Sequence, residues 1–187
     1  IIIEKQTDPD GHTHSFEFFP SWGNTFSLSD GQSASSGWLT PGTYTVSEIT
    51  PTTWTNTDIT CYGSSDYITS ANYTEIDLAG GENVRCVFTN TRNTGSILIN
   101  KIIDEDGNLQ TVDDQVPGDG WLFTVGGDWA DTSPSSSAPT GIDGSVLFSN
   151  LRTGHYDITE TLQDGYDLIW ATCGTENGRF SVNTVSY

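Results

Sequence analysis

The chain has 187 residues and a formal net charge of −19, with 25 Asp or Glu and only 6 Lys or Arg. This balance excludes nucleic-acid binding through phosphate neutralisation, which needs clustered basic side chains, and argues against docking on an anionic membrane surface. Thr, Ser, 20 glycines and 11% aromatic residues favour an all-β fold. No apolar run reaches the ~18–20 residues that span a bilayer, so membrane insertion is not expected.

Short strands separated by turn signals are predicted along the first half of the chain, without a helical period of useful length. They fall near residues 1–6, 15–19, 24–28, 43–50, 57–62, 66–69, 73–77 and 84–90. Turns are predicted where Asp and Gly follow one another, because Gly accepts positive φ and Asp hydrogen-bonds its own backbone. Two antiparallel sheets packed as a sandwich are the predicted result.

The second half of the chain repeats the first. Residues 1–11 (IIIEKQTDPDG) match residues 97–107 (ILINKIIDEDG) at an offset of 96, which places Lys5 over Lys101. Such self-similarity over most of a domain length predicts two tandem copies of one fold. The predicted domains are residues 1–94 and 95–187.

A second matching stretch shows that the copies differ in length. Residues 39–49 (LTPGTYTVSEI) match residues 151–161 (LRTGHYDITET) at an offset of 112, which places Glu48 over Glu160. The change of offset from 96 to 112 predicts a 16-residue loop insertion in the second copy, around residues 110–140.

The second copy is predicted to lack its final strand. After Cys61 the first copy continues for 29 residues to Asn90, whereas only 14 residues follow Cys173. Three explanations remain open. The natural chain continues past Tyr187, a strand from a neighbouring molecule fills the gap by strand addition, or the copy closes without this strand.

The order of these motifs resembles a known family. Lys5 on the opening strand, an Asp-Gly turn, Gly42-x-Tyr44-x-x-x-Glu48 and a strand carrying Asn90 resemble the B-type domains of Gram-positive collagen adhesins and pilins. The segments GSILINK, PGTYTVSE and CVFTNT are similar to tandem prealbumin-like repeats of bacterial surface proteins. The resemblance implies transthyretin-like or inverse immunoglobulin-like sandwiches that carry an intramolecular isopeptide bond.

The resemblance also implies roles for three residues: Lys5 attacks the side-chain carbonyl of Asn90, ammonia leaves, and Glu48 shuttles protons. The residue types suit this chemistry, because burial lowers the pKa of a lysine and a buried carboxylic acid can polarise an amide. The alternative is a solvated Lys5 and an ordinary surface Glu48. Each domain would react once, so an enzyme is not expected.

In the second copy Lys101 and Glu160 are present, but the asparagine partner is missing. Asn183 is expected on the penultimate strand and is therefore not assigned as the partner. If a neighbouring molecule supplied the last strand, Lys101 could form the bond between molecules.

The three cysteines lack the paired spacing of zinc sites. Cys61 and Cys86 flank the closing strands of the first copy and are predicted to form a disulfide, with two unpaired buried thiols as the alternative. Cys173 is predicted to be unpaired or to bond to another molecule. Disulfides persist outside the cell, and the acidic, Lys-poor composition agrees with an extracellular protein.

No metal site or cofactor is predicted from the motifs. Calcium at Asp113, Asp114 and Asp119 is the remaining possibility, since the Asp-Gly turns lack the Glu at the twelfth position that an EF-hand needs. The predicted function is a structural segment of an extracellular filament, pilus or adhesin stalk, with other copies or adjacent repeats as partners. The alternative is an adhesin module that binds glycan or protein through the Trp-rich stretch 121–140, including Trp129.

Overall fold

The computed structural model describes residues 1–64, 66–127, 135–176 and 179–186. These residues form seventeen β-strands, and the predicted all-β class is confirmed. The chain divides into two compact units, Ile1–Asn93 and Thr94–Tyr187. Within the described residues there is no helix with the length and hydropathy to cross a membrane.

The first domain is a sandwich of two sheets. Its nine strands are β1 (Ile2–Asp8), β2 (Phe16–Pro20), β3 (Phe26–Leu28), β4 (Ser33–Ser35), β5 (Gly42–Glu48), β6 (Trp54–Tyr62), β7 (Asp66–Ser70), β8 (Tyr73–Leu78) and β9 (Arg85–Arg92). One sheet has the order β4-β1-β9-β6 and the other the order β3-β2-β5-β8-β7. The first strand and the last, β1 and β9, lie side by side and run parallel.

Side chains alternate between core and solvent along these strands, as the period of two requires. On β1 the buried series is Ile3, Lys5 and Thr7, and on β9 it includes Phe88 and Asn90. The apolar members of both sheets form one buried cluster. A lysine and an asparagine therefore occupy positions in the inward series that would otherwise hold apolar residues.

The second domain repeats this plan with eight strands. They are β10 (Thr94–Asp104), β11 (Gln115–Pro117), β12 (Leu122–Gly126), β13 (Ser136–Pro139), β14 (Ser145–Arg152), β15 (Asp157–Glu160), β16 (Leu168–Glu176) and β17 (Arg179–Ser186). One sheet has the order β11-β10-β17-β16, with β14 also paired to β10, and the other has the order β13-β12-β15.

The expectation that the second copy lacks its final strand is wrong. Strand β17 pairs parallel with β10, with Lys101 opposite Thr184, just as β9 pairs parallel with β1, with Lys5 opposite Phe88. The segment that the second copy lacks lies before β17. Cys61 faces Cys86, 25 residues away, whereas Cys173 faces Val182, nine residues away, so no counterpart of the β7–β8 hairpin intervenes.

The single insertion expected around residues 110–140 is divided into two. Strand pairing places Phe18 opposite Glu48 and Phe123 opposite Glu160, so the offset is already 105 at β12. Nine extra residues therefore lie between β10 and β12, and seven between β12 and β13. The 16 residues gained here equal the 16 lost with the hairpin, which is why β10 and β17 regain the offset of 96. Without that hairpin, β15 pairs only with β12 among the described strands.

Candidate functional site

Lys5 is fully enclosed in the first domain, with 0% of its surface exposed. It lies on β1 opposite Phe88 of the parallel strand β9. Its Nζ donates hydrogen bonds to the backbone oxygens of Phe88 at 2.9 Å and Gln6 at 3.0 Å. The same Nζ stands 4.5 Å from the centroid of the Phe16 ring. The amine is therefore held in a fixed position against the Phe16 ring.

Glu48 reaches the same point from the opposite sheet. It is the last residue of β5, and its Oε1 lies 3.2 Å from Lys5 Nζ, with both side chains 0% exposed. Its Oε2 accepts hydrogen bonds from Thr50 Oγ1 and Asn56 Nδ2, each at 3.3 Å. The carboxylate thus contacts the amine with one oxygen and is oriented through the other.

Burial changes the protonation of Lys5. Loss of hydration lowers its pKa from 10.5 to about 8, and the negative charges of Glu48 and Asp30 offset only part of this effect. At pH 7 a pKa of about 8 leaves roughly a tenth of the amine neutral, about 300-fold more than an ordinary lysine would have. Only the neutral amine is a nucleophile.

Asn90 completes the cluster. It is 0% exposed and follows Phe88 by two residues on β9, so its side chain lies on the face of the sheet that carries Lys5. Its Oδ1 accepts a hydrogen bond from Asn56 Nδ2 at 2.9 Å. Its Nδ2 is buried and has no hydrogen-bond partner among the described residues, an arrangement that costs about 1–3 kcal/mol.

Asn56 links the other members, and sequence reasoning missed it. Its Nδ2 donates to both the Glu48 carboxylate and the Asn90 carbonyl oxygen. It stands opposite Asn90 in the antiparallel pairing of β6 and β9, immediately before the register shift between Asn56 and Asp58. The cross-strand register of β6 and β9 is the signal that would have found it. Its amide polarises the carbonyl that a nucleophile would attack.

The arrangement brings together a nucleophile, a proton carrier and an acyl group in a site closed to water. Lys5 supplies the amine, Glu48 a carboxylate in contact with it, and Asn90 a carboxamide whose oxygen is already hydrogen-bonded to Asn56. Because the fold already holds these groups in position, they could react without first meeting by diffusion. Amide exchange at the Asn90 side chain is the chemistry that these residue types would support.

The second domain keeps the lysine and the glutamate of this cluster. Lys101 is 1% exposed, its Nζ lies 2.6 Å from Glu160 Oε1, and it stands 4.2 Å from the centroid of Trp121, which takes the place of Phe16. Loss of hydration lowers the pKa of Lys101, and Glu160 opposes the shift. Trp121 is buried here, so it does not belong to an exposed binding surface.

The second domain replaces both carboxamides. Ser186 occupies the position equivalent to Asn90, and its Oγ accepts a hydrogen bond from Lys101 Nζ. Leu168 stands opposite Ser186, where the first domain has Asn56 opposite Asn90. A serine hydroxyl offers no acyl carbon to an amine, so the intramolecular reaction has no substrate at this position.

Asn183 does not substitute for the missing carboxamide. It lies opposite Asn100 in the pairing of β10 and β17, and Asn100 Nδ2 donates to its Oδ1 at 3.0 Å. Both residues adjoin inward-facing positions along their strands, so they point to the other face of the sheet from Lys101.

Cys61 and Cys86 form a disulfide between β6 and β9. The bond joins the strand that carries Asn56 to the strand that carries Asn90. Cys173 is a free, exposed thiol. Strand β17 holds Val182 opposite Cys173, where the first domain has Cys86 opposite Cys61.

The acidic cluster of the second domain differs from the predicted one. Asp104, Asp106 and Asp114 bring carboxylate oxygens within 4.8 Å of one another, and neither Asp113 nor Asp119 joins them in the part of the chain that the structure describes. Trp129, on which the alternative binding function relied, lies outside the described residues.

Residues 1–92 match the family model of the prealbumin-like fold domain. A comparison with curated proteins finds no match. Among solved structures, the chain is similar to the Bacillus anthracis TIE protein, with 19% identity and a TM-score of 0.55 over 89% of this chain and 28% of that one. It is also similar to a C-terminal fragment of the pilus adhesin SpaC from Lactobacillus rhamnosus GG, with 12% identity and a TM-score of 0.55 over 98% of this chain and 95% of the fragment. At these identities the two structures indicate a shared fold.

Proposed function

We propose that the chain is a structural segment of an extracellular filament, pilus or adhesin stalk, and the match of residues 1–92 to the family model of the prealbumin-like fold domain supports this. Its first domain is braced by an isopeptide bond between Lys5 and Asn90. Other copies of the chain or adjacent repeats are its partners. The pilus adhesin fragment that shares the fold along nearly its whole length supports this assignment.

One observation carries the proposal: Lys5, Glu48 and Asn90 are all buried, Glu48 contacts Lys5 and is linked to Asn90 through Asn56, and the pKa of Lys5 is lowered to about 8. A buried lysine and a buried carboxamide nitrogen without a partner are both costly in a core that could hold apolar residues instead. The reaction removes both costs at once, because it consumes the amine and expels the unpartnered nitrogen.

The reaction balances as a transamidation. The neutral Nζ of Lys5 attacks Cγ of Asn90, the Nζ–Cγ bond forms, and the Cγ–Nδ2 bond breaks. Glu48 takes a proton from the attacking amine and delivers it to the departing nitrogen, which leaves as ammonia. Asn56 stabilises the negative charge that develops on Oδ1. The first domain reacts once and keeps the product, so bond formation is a self-modification with a single turnover.

The bond suits a load-bearing segment. It joins the first and last strands of the domain, which are parallel neighbours. Tension that enters near Ile1 and leaves near Asn93 passes through the bond from residue 5 to residue 90. The chain between these residues carries no load, so the core of the domain is protected from forced unfolding.

Intact-mass measurement of the purified chain tests the proposal. Loss of one ammonia predicts a mass about 17 Da below the sequence mass, in addition to the disulfide hydrogens, and a single deficit rather than two. Asn90→Ala should abolish the deficit, and Lys101→Met, the matched substitution in the second domain, should leave it unchanged. A wild-type mass without the deficit would refute the bond, while leaving the fold-based stalk assignment to be tested separately.

A further inference from the structure

A cluster of carboxylates in the second domain lies outside the lysine site. Asp104 ends β10, Asp106 lies in the following turn, and Asp114 comes directly before β11. One carboxylate oxygen from each lies within 4.8 Å of the others. The nine residues that the second domain gains between β10 and β12 bring them together.

Asp104 is the unusual member, because it is 0% exposed and its Oδ1 has no hydrogen-bond partner. Gln115 Nε2 donates to its Oδ2 at 2.9 Å and satisfies only that oxygen. Oδ1 of Asp114 is likewise buried and without a partner. Buried carboxylates are normally paired with a cation or bound to a metal, and no Lys or Arg forms an ion pair with these two among the described residues.

The rest of the segment holds the three carboxylates in place without neutralising them. The backbone nitrogen of Asp106 donates to Asp114 Oδ2 at 2.9 Å, which ties the two ends of the loop together. The hydroxyl of Thr111 and the backbone nitrogen of Asn108 donate to the Asp106 carboxylate. These contacts order the loop around a concentration of negative charge in a chain that already carries −19.

We propose that Asp104, Asp106 and Asp114 bind a Ca²⁺ ion. Calcium takes carboxylate oxygens at about 2.3–2.6 Å, so two ligands of one ion lie at most about 4.6–5.2 Å apart, a range that the cluster satisfies. The ion neutralises the buried carboxylate of Asp104 and binds its unpartnered Oδ1. Waters and loop carbonyls complete a shell that is larger and less regular than magnesium requires.

The site belongs to the second domain alone. Asp8, the counterpart of Asp104, is exposed, and the described part of the first domain contains no such cluster. By bridging Asp104 to Asp114, calcium fastens the inserted segment to the end of β10. This strand also carries Lys101, so the ion stabilises the second domain, which lacks the carboxamide needed for a covalent brace.

Calcium titration of the whole chain by isothermal calorimetry tests the site. Extracellular calcium modules have dissociation constants of about 10⁻⁴–10⁻³ M, so saturable binding at one site in that range is expected. Asp104→Asn and Asp106→Asn should each weaken binding at least ~10-fold. Asp113→Asn is the matched control, since it removes a neighbouring charge outside the cluster and should change affinity less than ~2-fold.

The site would be overturned by the absence of saturable calcium binding, or by binding that Asp106→Asn leaves unchanged. Asp106 is exposed, so its substitution decides the question even if Asp104→Asn prevents folding. Equal loss of binding in Asp113→Asn would indicate diffuse attraction to an acidic surface and would also refute the site. None of these results depends on whether Lys5 forms a bond.

Discussion

The second domain offers a gain-of-function test, because it retains the lysine and glutamate of the first but lacks its carboxamides. The combined substitution Ser186→Asn and Leu168→Asn restores an asparagine at the position of Asn90 and another at the position of Asn56. Lys101 already lies in the matching register and 2.6 Å from Glu160. Burial lowers the pKa of Lys101, as it does for Lys5.

The expected effect is a second loss of ammonia, so that the total mass deficit becomes about 34 Da. The new bond would join residues 85 positions apart, and the chain-entropy estimate for a loop of that size is about 4.6 kcal/mol. Against this gain, enlarging the fully buried Ser186 costs about 1–3 kcal/mol. We therefore expect the free energy of unfolding of the second domain to rise by about 2–4 kcal/mol.

Intact mass followed over time after refolding, together with denaturant unfolding, measures both quantities. Lys101→Met in the same background removes the nucleophile and should return the deficit to about 17 Da. Asn183 is an internal control, since it lies on the same strand but faces Asn100, and it should remain unreacted. A variant with a native circular dichroism spectrum and an unchanged mass would refute the inference that burial and register suffice for the reaction.

Three further predictions concern the first domain. Asn56→Ala should slow bond formation by about 10²-fold in refolding experiments followed by mass, because it removes the donor to the Asn90 carbonyl; an unchanged rate would assign Asn56 a purely structural role. In Asn90→Ala, the free energy of unfolding should rise by up to about 3 kcal/mol between about pH 8 and 10.5, because in this range Lys5 has lost its proton in the folded chain and still holds it in the unfolded chain. Lys5→Met in that background should abolish the rise, which denaturant titrations at several pH values measure. In the same Asn90→Ala variant, reducing the disulfide should lower the free energy of unfolding by about 3.5 kcal/mol, given its 25-residue separation, whereas Cys173→Ser should have no effect.

Short-range patterns determined most of the first domain. Alternating residues and Asp-Gly turns located eight of its nine strands, and they missed only β4, because Ser33–Ser35 offers neither an aromatic nor a β-branched side chain. The recurrence of a lysine and a glutamate in matching motifs of the two copies singled out the two buried ion pairs, Lys5 with Glu48 and Lys101 with Glu160. The alternation of side chains along a strand is enough to show that a lysine faces inward at the same strand position in both copies.

Tertiary structure decided which segments of the second domain correspond to which in the first. Counting from Cys173 implied a lost final strand, because a linear alignment assigns a shortage of residues to the end of the chain. Parallel pairing of β10 with β17 shows that the shortage belongs to the β7–β8 hairpin, and only this pairing identifies Ser186 as the counterpart of Asn90. Tertiary structure likewise decided the contacts of Asn56 and of the Asp104 cluster. Hydrogen bonds across strands and loops bring these residues together, and their spacing in the sequence follows no period that would predict it. The sequence by itself determined which side chains face the core, because that depends on neighbours two residues away; strand register between distant segments decided what those side chains meet there.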